Sequence, residues 1–285
     1  MTAERLDRAV VSRGLAPSRS RAAQLIEAGT VTVDGVVRTR ASVRVGAEHR
    51  ISLHEEDPWV SRAANKLVGA LAEWPEIQVR GRRCLDAGAS TGGFTQVLLS
   101  RGAEQVVAVD VGHAQLAEVL REDPRVENRE GLNLRYLGAG ELGEPFTLIV
   151  GDLSFISLRL VMRPLARQAA PNADLLLMVK PQFEVGRVRL PRTGVVTSEP
   201  QRREAVAGVA AAAEEAALRV MGVRPSPVRG QDGNREFFLR LRAPVGDRTN
   251  SAATNSSDSG GRLLVEGVPL SPTAADRVGE ADYRD

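Results

Sequence analysis

The chain of 285 residues contains very little cysteine and histidine and no long apolar run. A single cysteine, Cys84, excludes a disulfide framework and a cysteine-based metal site. The three histidines, His49, His54 and His113, lack the spacing of metal ligands. No apolar run approaches the roughly 18–20 residues that span a bilayer. Acidic residues and arginines interrupt the N-terminal segment, which argues against a signal peptide. We therefore expect a cytoplasmic protein that binds no metal.

Lysine is also scarce. Of the 38 basic residues, 36 are arginines and only two, Lys66 and Lys180, are lysines. A guanidinium group stays protonated in proteins, whereas a buried ammonium can shift its pKa and act as a base. The excess of arginine is typical of a codon bias. The two lysines are then either chance exceptions to that bias, or positions at which the chemistry requires an amine.

The net charge of +2 is unevenly distributed. Residues 1–50 contain nine arginines against five acidic residues, whereas residues 243–285 contain four arginines against seven acidic residues. The basic N-terminal region indicates a polyanionic partner. The segment 244–285 includes the run TNSAATNSSDSGG and has few large apolar residues, so it is predicted to be a disordered tail.

The first 55 residues have the pattern of a small α+β domain. Apolar residues at helical spacing predict two short helices, and VTVDGVV predicts a hairpin around Asp34 and Gly35. Arginines on and between the helices form either a solvated basic face or an RNA-binding face, and the helix–helix–hairpin order favours RNA. The segment 5–38 resembles the small RNA-binding module named after ribosomal small-subunit protein four. That resemblance implies docking on structured RNA through phosphate contacts. The basic positions that match best are Arg5, Arg13, Arg19 and Arg21.

A linker over 56–62 is predicted to precede a second domain over 63–243. In that domain apolar strands alternate with helices, which predicts a doubly wound, mainly parallel Rossmann-like α/β sheet. The predicted strands comprise RCLDAGA, QVVAVD (105–110), TLIVGDLS (147–154), LLLMVKP (175–181) and REFFLRL (235–241). Ligands of such sheets bind beyond the carboxyl ends of the strands.

The first strand of this domain runs into a glycine-rich turn, DAGASTGG (86–93). The turn reads G-x-x-x-G-G rather than the dinucleotide fingerprint, and no G-K-[ST] follows. Asp86 at its entry suits a ligand with a cationic group, such as the amino group of S-adenosyl-L-methionine. Asp110 ends the second strand, at a spacing suited to a carboxylate that binds a ribose diol. Both aspartates could instead simply cap helices. The predicted cofactor-binding residues are Asp86, Gly88, Ser90, Gly92, Gly93 and Asp110.

Together, at the ends of the first two strands of a doubly wound pattern, Asp86 and Asp110 indicate a class I methyltransferase domain. The strand TLIVGDLS helps to identify the atom that would accept the methyl group. It ends in Asp152-Leu-Ser-Phe, which lacks the prolines of the tetrapeptide typical of enzymes that methylate base amino groups. Carbon-directed enzymes need a nucleophilic cysteine, and Cys84 lies inside a buried strand. An oxygen acceptor, such as a ribose 2′-hydroxyl, therefore fits best.

The two lysines fall into a pattern with two carboxylates. Lys66, Asp152, Lys180 and Glu236 follow one another in the order K-D-K-E. This order matches the tetrad of FtsJ-like ribose 2′-O-methyltransferases. A like charge and desolvation would both lower a lysine pKa towards neutrality. Lys180 is therefore the predicted base, and the other three side chains would position it and the hydroxyl.

Over residues 5–242 these motifs together are similar to the TlyA family. The resemblance implies 2′-O-methylation of cytidines in 16S and/or 23S ribosomal RNA, within 30S and/or 50S subunits, with S-adenosyl-L-methionine as cofactor. Members of the family are also labelled haemolysins, but no segment here has the length or amphipathicity of a pore-former. We expect a monomer.

Alternative interpretations stay open for Phe155 and for the function of the whole protein. Phe155, directly after the Asp152 strand, is either a core aromatic or a platform that stacks on a nucleotide turned out of its helix. The protein as a whole could instead be an RNA base methyltransferase. It could also be a non-catalytic RNA-binding factor in ribosome assembly.

The scarcity of lysine generates a direct test. Lys180→Arg keeps the positive charge but removes the ability to accept a proton, so methyl transfer to RNA should fall by about 100-fold or more. Incorporation of labelled methyl groups measures the effect. Full activity in this variant would mean that the reaction does not require an amine at position 180.

Overall fold

The computed structural model describes most of the chain in five ranges. These are residues 3–27, 29–53, 58–230, 232–245 and 270–284. The chain divides into two units, Met1–Pro58 and Trp59–Asp285. Each unit has a hydrophobic core of its own.

The N-terminal unit is a small α+β domain. Its elements are β1 (Glu4–Arg5), α1 (Leu6–Ser12), α2 (Arg19–Glu27), β2 (Val31–Val33), β3 (Val36–Val37), β4 (Arg44–Val45) and β5 (Ile51–Leu53). The predicted hairpin is confirmed, because β2 and β3 pair antiparallel across Asp34 and Gly35, both at positive φ. β5 pairs with the other side of β2, and β1 pairs with β4. Leu6, Val10 and Ile26 join the two helices to this unit's core.

The second unit alternates strands with helices. Its elements are α3 (Ala64–Glu73), β6 (Arg83–Ala87), α4 (Gly93–Ser100), β7 (Gln105–Asp110), α5 (Glu118–Arg121), β8 (Val126–Glu130), β9 (Phe146–Gly151), α6 (Met162–Gln168), β10 (Ala169–Val179), α7 (Pro181–Glu184), α8 (Glu199–Glu215), β11 (Arg219–Pro225), β12 (Phe237–Arg242) and α9 (Pro272–Gly279). Two short 3-10 turns cover Leu134–Tyr136 and Leu158–Leu160.

Seven strands form one sheet in the order β11-β12-β10-β9-β6-β7-β8. The five strands from β10 to β8 are parallel, and β12 and β11 complete the sheet in antiparallel pairing. The prediction of a doubly wound, mainly parallel sheet is confirmed. From β6 the chain first builds one half of the sheet and then returns to β9 on the other side of β6. Crevices that bind ligands form at such a switch point.

Side chains alternate between the two faces of this sheet. Along β10, Leu175 and Leu177 pack in a cluster with residues of α6, α8 and α9. Leu176 and Met178 pack in a second cluster with residues of α3 and α4. Because both faces are covered by helices, the central strands are apolar on both sides, which explains their unbroken hydrophobic sequences.

Part of the predicted linker is folded. Trp59 and Val60 pack against the core of the second unit, and the Val60 backbone N–H donates to Gln96 Oε1 at 2.7 Å. Residues 54–57, which include the start of the predicted linker, lie outside the described residues.

The prediction of a disordered tail is wrong for residues 270–284, and residues 246–269 lie outside the described ranges. α9 packs against β11 and α8. The buried Tyr283 ring lies 4.9 Å from the ring of Phe237, measured between centroids. Arg202 Nη1 donates to the Tyr283 carbonyl oxygen at 2.8 Å. The average composition of the segment concealed Ala274 and Val278, which are buried on one side of α9, and Tyr283, which follows the helix.

The two tyrosines of the chain provide a matched test of this packing. Tyr283→Ala should lower the free energy of unfolding of the second unit by about 3 kcal/mol, because it removes a buried aromatic ring. Tyr136 is 75% exposed, so Tyr136→Ala should change that free energy by less than about 0.5 kcal/mol. Chemical denaturation of the full chain measures both. Equal effects of the two variants would contradict the packing of this segment.

Candidate active site

The four predicted catalytic side chains meet at one edge of the sheet. Asp152 directly follows β9 and Lys180 directly follows β10, so both lie beyond the carboxyl ends of parallel strands. Glu236 precedes β12, and since β12 runs antiparallel to β10, its beginning lies at the same edge. Lys66 reaches this edge from α3.

The four side chains form a continuous lysine–carboxylate chain, Glu236–Lys66–Asp152–Lys180. Lys66 Nζ lies 2.7 Å from Glu236 Oε2 and 3.2 Å from Asp152 Oδ2. Lys180 Nζ lies 2.8 Å from Asp152 Oδ1 and donates to Ser154 Oγ at 2.7 Å. Each of the four side chains is at most 12% exposed. Two positive and two negative charges therefore neutralise one another in a nearly buried site.

The electrostatics of Lys66 differ from the sequence-based expectation. Burial by itself lowers the pKa of Lys66, but the carboxylates of Asp152 and Glu236 outweigh burial, so the pKa is raised. The expectation of a lowered lysine pKa is therefore wrong for Lys66. This side chain is held as an ammonium that bridges two carboxylates.

The glycine-rich turn passes beside the Asp152 backbone. Gly88 has φ +86°, and a Cβ at this position would lie 2.9 Å from Leu153 Cδ2 and 3.4 Å from the Asp152 carbonyl carbon. Only glycine fits such a conformation and such a close approach without strain. Ser90 also has a positive φ, of 48°. The turn therefore packs directly against the backbone of Asp152, the residue that links the two lysines.

Asp110 fixes this turn from the end of β7. Its Oδ2 accepts the Ser90 backbone N–H at 2.9 Å, and its Oδ1 accepts the Gly112 backbone N–H at 2.8 Å. Each carboxylate oxygen keeps a lone pair for a further donor. Asp110 can therefore cap the turn and bind a hydroxyl of a ligand at the same time.

Gly92 and Gly93 lie where a side chain would collide with neighbouring residues, so their main role is in packing. Gly92 precedes α4 with φ +96°, and a Cβ there would lie 2.3 Å from Leu120 Cδ1. A Cβ on Gly93 would lie 3.0 Å from the Ala64 backbone nitrogen, at the start of α3. The absence of a side chain at Gly93 lets α3, which carries Lys66, approach α4, whereas at Gly92 it leaves room for Leu120 of α5.

Asp86 lies under the turn, with its side chain fully buried. Thr95 Oγ1 donates to Asp86 Oδ2 at 2.7 Å, whereas Asp86 Oδ1 is buried without a hydrogen-bond partner among the described residues. The pKa of Asp86 is raised to about 7. Burial is the main cause, the charges of Asp152 and Asp110 act in the same direction, and the Thr95 hydrogen bonds oppose them. Its predicted contact with a cationic group of the cofactor stays a prediction.

Two clefts meet at this edge of the sheet. The first, of about 480 Å³, contains Lys66, Lys180 and Glu236, and the second, of about 460 Å³, contains Asp110. The second cleft also has apolar walls, formed by Leu132, Leu134, Ile156 and Val161. The residues that line both clefts are Gly88, Ser90, Asp152, Ser154 and Phe155. The Asp110 carboxylate next to apolar walls suits a nucleoside in the second cleft. A second ligand bound in the first cleft would contact that nucleoside near Asp152, which lines both clefts.

Phe155 is not a core residue. It is 92% exposed and has φ +64°, which is unusual for an aromatic residue. Its ring lies 5.3 Å from the ring of Phe183, at an interplanar angle of 47°. The interpretation of Phe155 as a core aromatic is therefore wrong, and the exposed ring is available for stacking.

The predicted RNA-binding arginines of the N-terminal unit differ in their surroundings. Arg5 and Arg19 both bind the buried carboxylate of Asp7, at 3.0 and 2.8 Å, and the hydrogen bond from Arg5 is the main cause that lowers the Asp7 pKa to about 2. Arg13 donates to the carbonyl oxygens of Gly46 and His49 and so links α1 to a loop. Arg21 is exposed on α2. Arg5 and Arg19 keep partly exposed side chains, at 40% and 55%.

Several residues of the site were missed at the level of sequence. Ser154 accepts from Lys180, and Gln182 Nε2 donates to Glu236 Oε1 at 3.2 Å. Phe183 contacts Phe155. The sequence could have indicated Gln182 and Phe183, because they closely follow Lys180 in the run KPQFE and so lie near the predicted base. Arg62 and Arg229, at the rim of the first cleft, carried no comparable signal.

The doubly wound sheet, the glycine-rich turn and the lysine–carboxylate chain define a Rossmann-like methyltransferase. Comparison with known families agrees, since residues 59–243 match the FtsJ-like methyltransferase family and residues 4–51 match the S4 domain.

Similar proteins span nearly the whole chain. The 16S/23S rRNA (cytidine-2′-O)-methyltransferase TlyA of Mycobacterium tuberculosis is 47% identical over 265 residues, which cover 92% of this chain and 98% of that protein. Hemolysin A of Brachyspira hyodysenteriae is 35% identical over 83% of this chain and 99% of that protein. A solved structure from Streptococcus thermophilus, also named as a hemolysin, has a TM-score of 0.66 at 34% identity and covers 87% of this chain and 92% of its own.

The chain belongs to the TlyA family of FtsJ-like methyltransferases. Some relatives carry the name hemolysin. Within the ranges that the structure describes, no helix combines the length and the apolar character needed to cross a membrane.

The buried carboxyl group of Asp86 generates a prediction about pH. Between pH 4 and 7 the unfolded chain releases the Asp86 proton while the folded chain retains it. This group should therefore lower the free energy of unfolding by about 1.4 kcal/mol per pH unit across that interval. Asp86→Asn removes this slope, so the stability of the wild type relative to the variant should fall as pH rises from 4 to 7.

Asp123→Asn supplies the matched control. The pKa of Asp123 is lowered, mainly by the hydrogen bond from Arg125, so Asp123 is ionised in both states above about pH 5. Chemical denaturation at several pH values between 4 and 8 measures both variants. A difference between wild type and Asp86→Asn that does not change with pH would contradict a protonated, buried Asp86.

Proposed function

We propose that this protein transfers a methyl group from S-adenosyl-L-methionine to the ribose 2′-hydroxyl of cytidines in 16S and/or 23S ribosomal RNA. The observation that carries the proposal is the lysine–carboxylate chain at the junction of two clefts. The name of the Mycobacterium tuberculosis relative gives this reaction and both RNAs. We propose further that the protein acts as a cytoplasmic monomer on 30S and/or 50S subunits.

The second cleft fits the proposed cofactor. Asp110 can accept hydroxyls of the ribose, and the apolar walls can cover the adenine ring. The orphaned Asp86 Oδ1 lies under the glycine-rich turn and suits a cationic group of the ligand or a water molecule bound to one. When bound, S-adenosyl-L-methionine supplies a methyl group on a positively charged sulfur. Gly88 and Ser90 would hold the ligand against the first cleft.

The lysine–carboxylate chain gives each side chain a role. Lys66 is an ammonium between Asp152 and Glu236, so it fixes both carboxylates and takes up no proton. Lys180 lines the first cleft and is held there by Asp152 and Ser154, which line both clefts. In this step Lys180 acts as the neutral amine, after it has lost its own proton to solvent. As the 2′-oxygen forms its bond to the methyl carbon and the sulfur–methyl bond breaks, the lone pair of Lys180 Nζ takes the hydroxyl proton. Asp152 stabilises the ammonium that results.

RNA recognition is proposed to involve both units. In the N-terminal unit, the partly exposed Arg5 and Arg19 and the exposed Arg21 can contact phosphates, with Arg13 holding the loop beside them. In the second unit, the exposed face of Phe155 can stack on the base of the target nucleotide once it leaves its helix.

Transfer of labelled methyl groups tests the proposal. The full chain is incubated with labelled S-adenosyl-L-methionine and purified 30S or 50S subunits that lack the modification, and the RNA is digested to nucleosides. The label should appear in 2′-O-methylcytidine. Glu236→Gln should reduce transfer by about 100-fold or more, because Lys66 would then lose one of its two carboxylates. Glu73→Gln, the same substitution at an exposed position of α3, should transfer normally.

Each other outcome contradicts a defined part of the proposal. Label in a methylated base would establish a base methyltransferase instead. RNA binding without incorporation into either subunit would establish a non-catalytic binding factor. Normal transfer by Glu236→Gln would mean that methyl transfer does not depend on the lysine–carboxylate chain.

A further inference from the structure

Glu184 is a buried carboxylate that the proposed reaction does not use. It ends α7, and its side chain is 1% exposed. Glu184 Oε2 accepts from Ser157 Oγ at 2.6 Å, and Oε1 accepts from the Leu158 backbone N–H at 2.7 Å. Arg159 Nε lies 3.3 Å from Oε2, and Arg159 Nη2 donates to the Glu184 carbonyl oxygen at 2.8 Å. Three consecutive residues are thus bound to one side chain.

The residues that Glu184 holds end a short loop over 153–157. The loop begins directly after Asp152, and near this beginning Ser154 binds Lys180. Glu184 binds the other end of the loop at Ser157. The loop is therefore fixed at one end by Lys180, directly before the Pro181–Glu184 helix, and at the other end by Glu184, the last residue of that helix.

Phe155 lies between these two fixed ends. A left-handed backbone conformation in an aromatic residue costs free energy and persists only where neighbouring contacts impose it. The ring itself is 92% exposed, so burial of the ring does not supply those contacts. Phe183, directly before Glu184, is the aromatic neighbour of this ring, at 5.3 Å between centroids.

The short segment from Lys180 to Glu184 thus contacts several parts of the site in succession. Lys180 binds Asp152, Gln182 binds Glu236, and Phe183 contacts Phe155. Glu184 binds the end of the Phe155 loop. A change in this segment would therefore move the predicted base and the exposed ring together.

We infer that Glu184 is a positioning residue that fixes the 153–157 loop so that Phe155 presents its ring to the nucleobase of the target nucleotide, at a set distance from Lys180. This inference rests on the proposed function and deepens it, because it adds recognition of an extruded base to the methyl-transfer site. Glu184 itself touches neither the RNA nor the cofactor.

A double-mutant cycle in the full chain tests the inference. Glu184→Ala, Phe155→Ala and the double variant are compared for KM on ribosomal subunits, kcat, and the Kd of S-adenosyl-L-methionine. Each single substitution should raise KM by about tenfold, the loss expected for one base–aromatic stack. The double variant should be no worse than Phe155→Ala alone, because both substitutions remove the same contact. In Glu184→Ala the Kd of the cofactor should change by less than about twofold, because Glu184 lines neither cleft.

Two further variants separate positioning from a purely structural role. Glu184→Gln keeps an acceptor for the Leu158 N–H and a polar partner for Ser157, so KM should return to within about threefold of wild type. Glu214→Ala removes another glutamate that binds a loop, through Ser271, but lies at the end of α8 rather than in α7, and it should leave KM unchanged. Multiplicative effects in the double variant, or a KM unchanged by Glu184→Ala, would overturn the inference.

A readout that does not depend on catalysis distinguishes failure of this inference from failure of the proposed function. Phe155→Trp places a fluorescent reporter in the loop, and its anisotropy, after subtraction of the wild-type signal, should fall when Glu184→Ala is added. An unchanged anisotropy would overturn the inference even in an active enzyme. A wild type that methylates no subunit would overturn the proposed function, while the anisotropy would still report whether Glu184 fixes the loop.

Discussion

The rest of the site depends on the electrostatic balance of the lysine–carboxylate chain. Taking an ammonium or a carboxylate out of water costs several kcal/mol unless an opposite charge and hydrogen bonds compensate it. Here Lys66 and Lys180 are balanced by Asp152 and Glu236, and all four side chains are nearly buried. Loss of one member leaves a neighbour unpaired, so the chain has to assemble as a unit. This requirement explains why the only two lysines of the sequence lie together.

The sheet topology meets this requirement. Parallel strands carry Asp152 and Lys180 to one edge, and the antiparallel β12 begins at that edge with Glu236 beside it. The same edge includes the switch point between β6 and β9, where the glycine-rich turn approaches the Asp152 backbone. Binding of a nucleoside ligand and proton transfer are therefore supported by one set of strand ends, and the two clefts meet at a carboxylate that belongs to both.

Much of this arrangement could be predicted from the sequence, because unbroken apolar strands, a glycine-rich turn and a K-D-K-E order are local signals. Two edge strands, β8 and β11, could not be predicted from the sequence. β8 reads VENRE and lacks an apolar pattern, and β11 lies in a stretch without clear alternation. The fold of residues 270–284 depends on contacts of Tyr283 with distant residues, which composition does not report. The raised pKa of Lys66 was missed because it depends on how two carboxylates outweigh burial.

The single-turnover rate of methyl transfer in Lys180→Ala tests the central claim most directly. If Lys180 takes the 2′-hydroxyl proton while Lys66 remains an ammonium, this substitution should lower the rate by about 100-fold or more, because it removes the base. A rate in Lys180→Ala within about threefold of the wild type, with chemistry shown to be rate-limiting in both, would contradict the account.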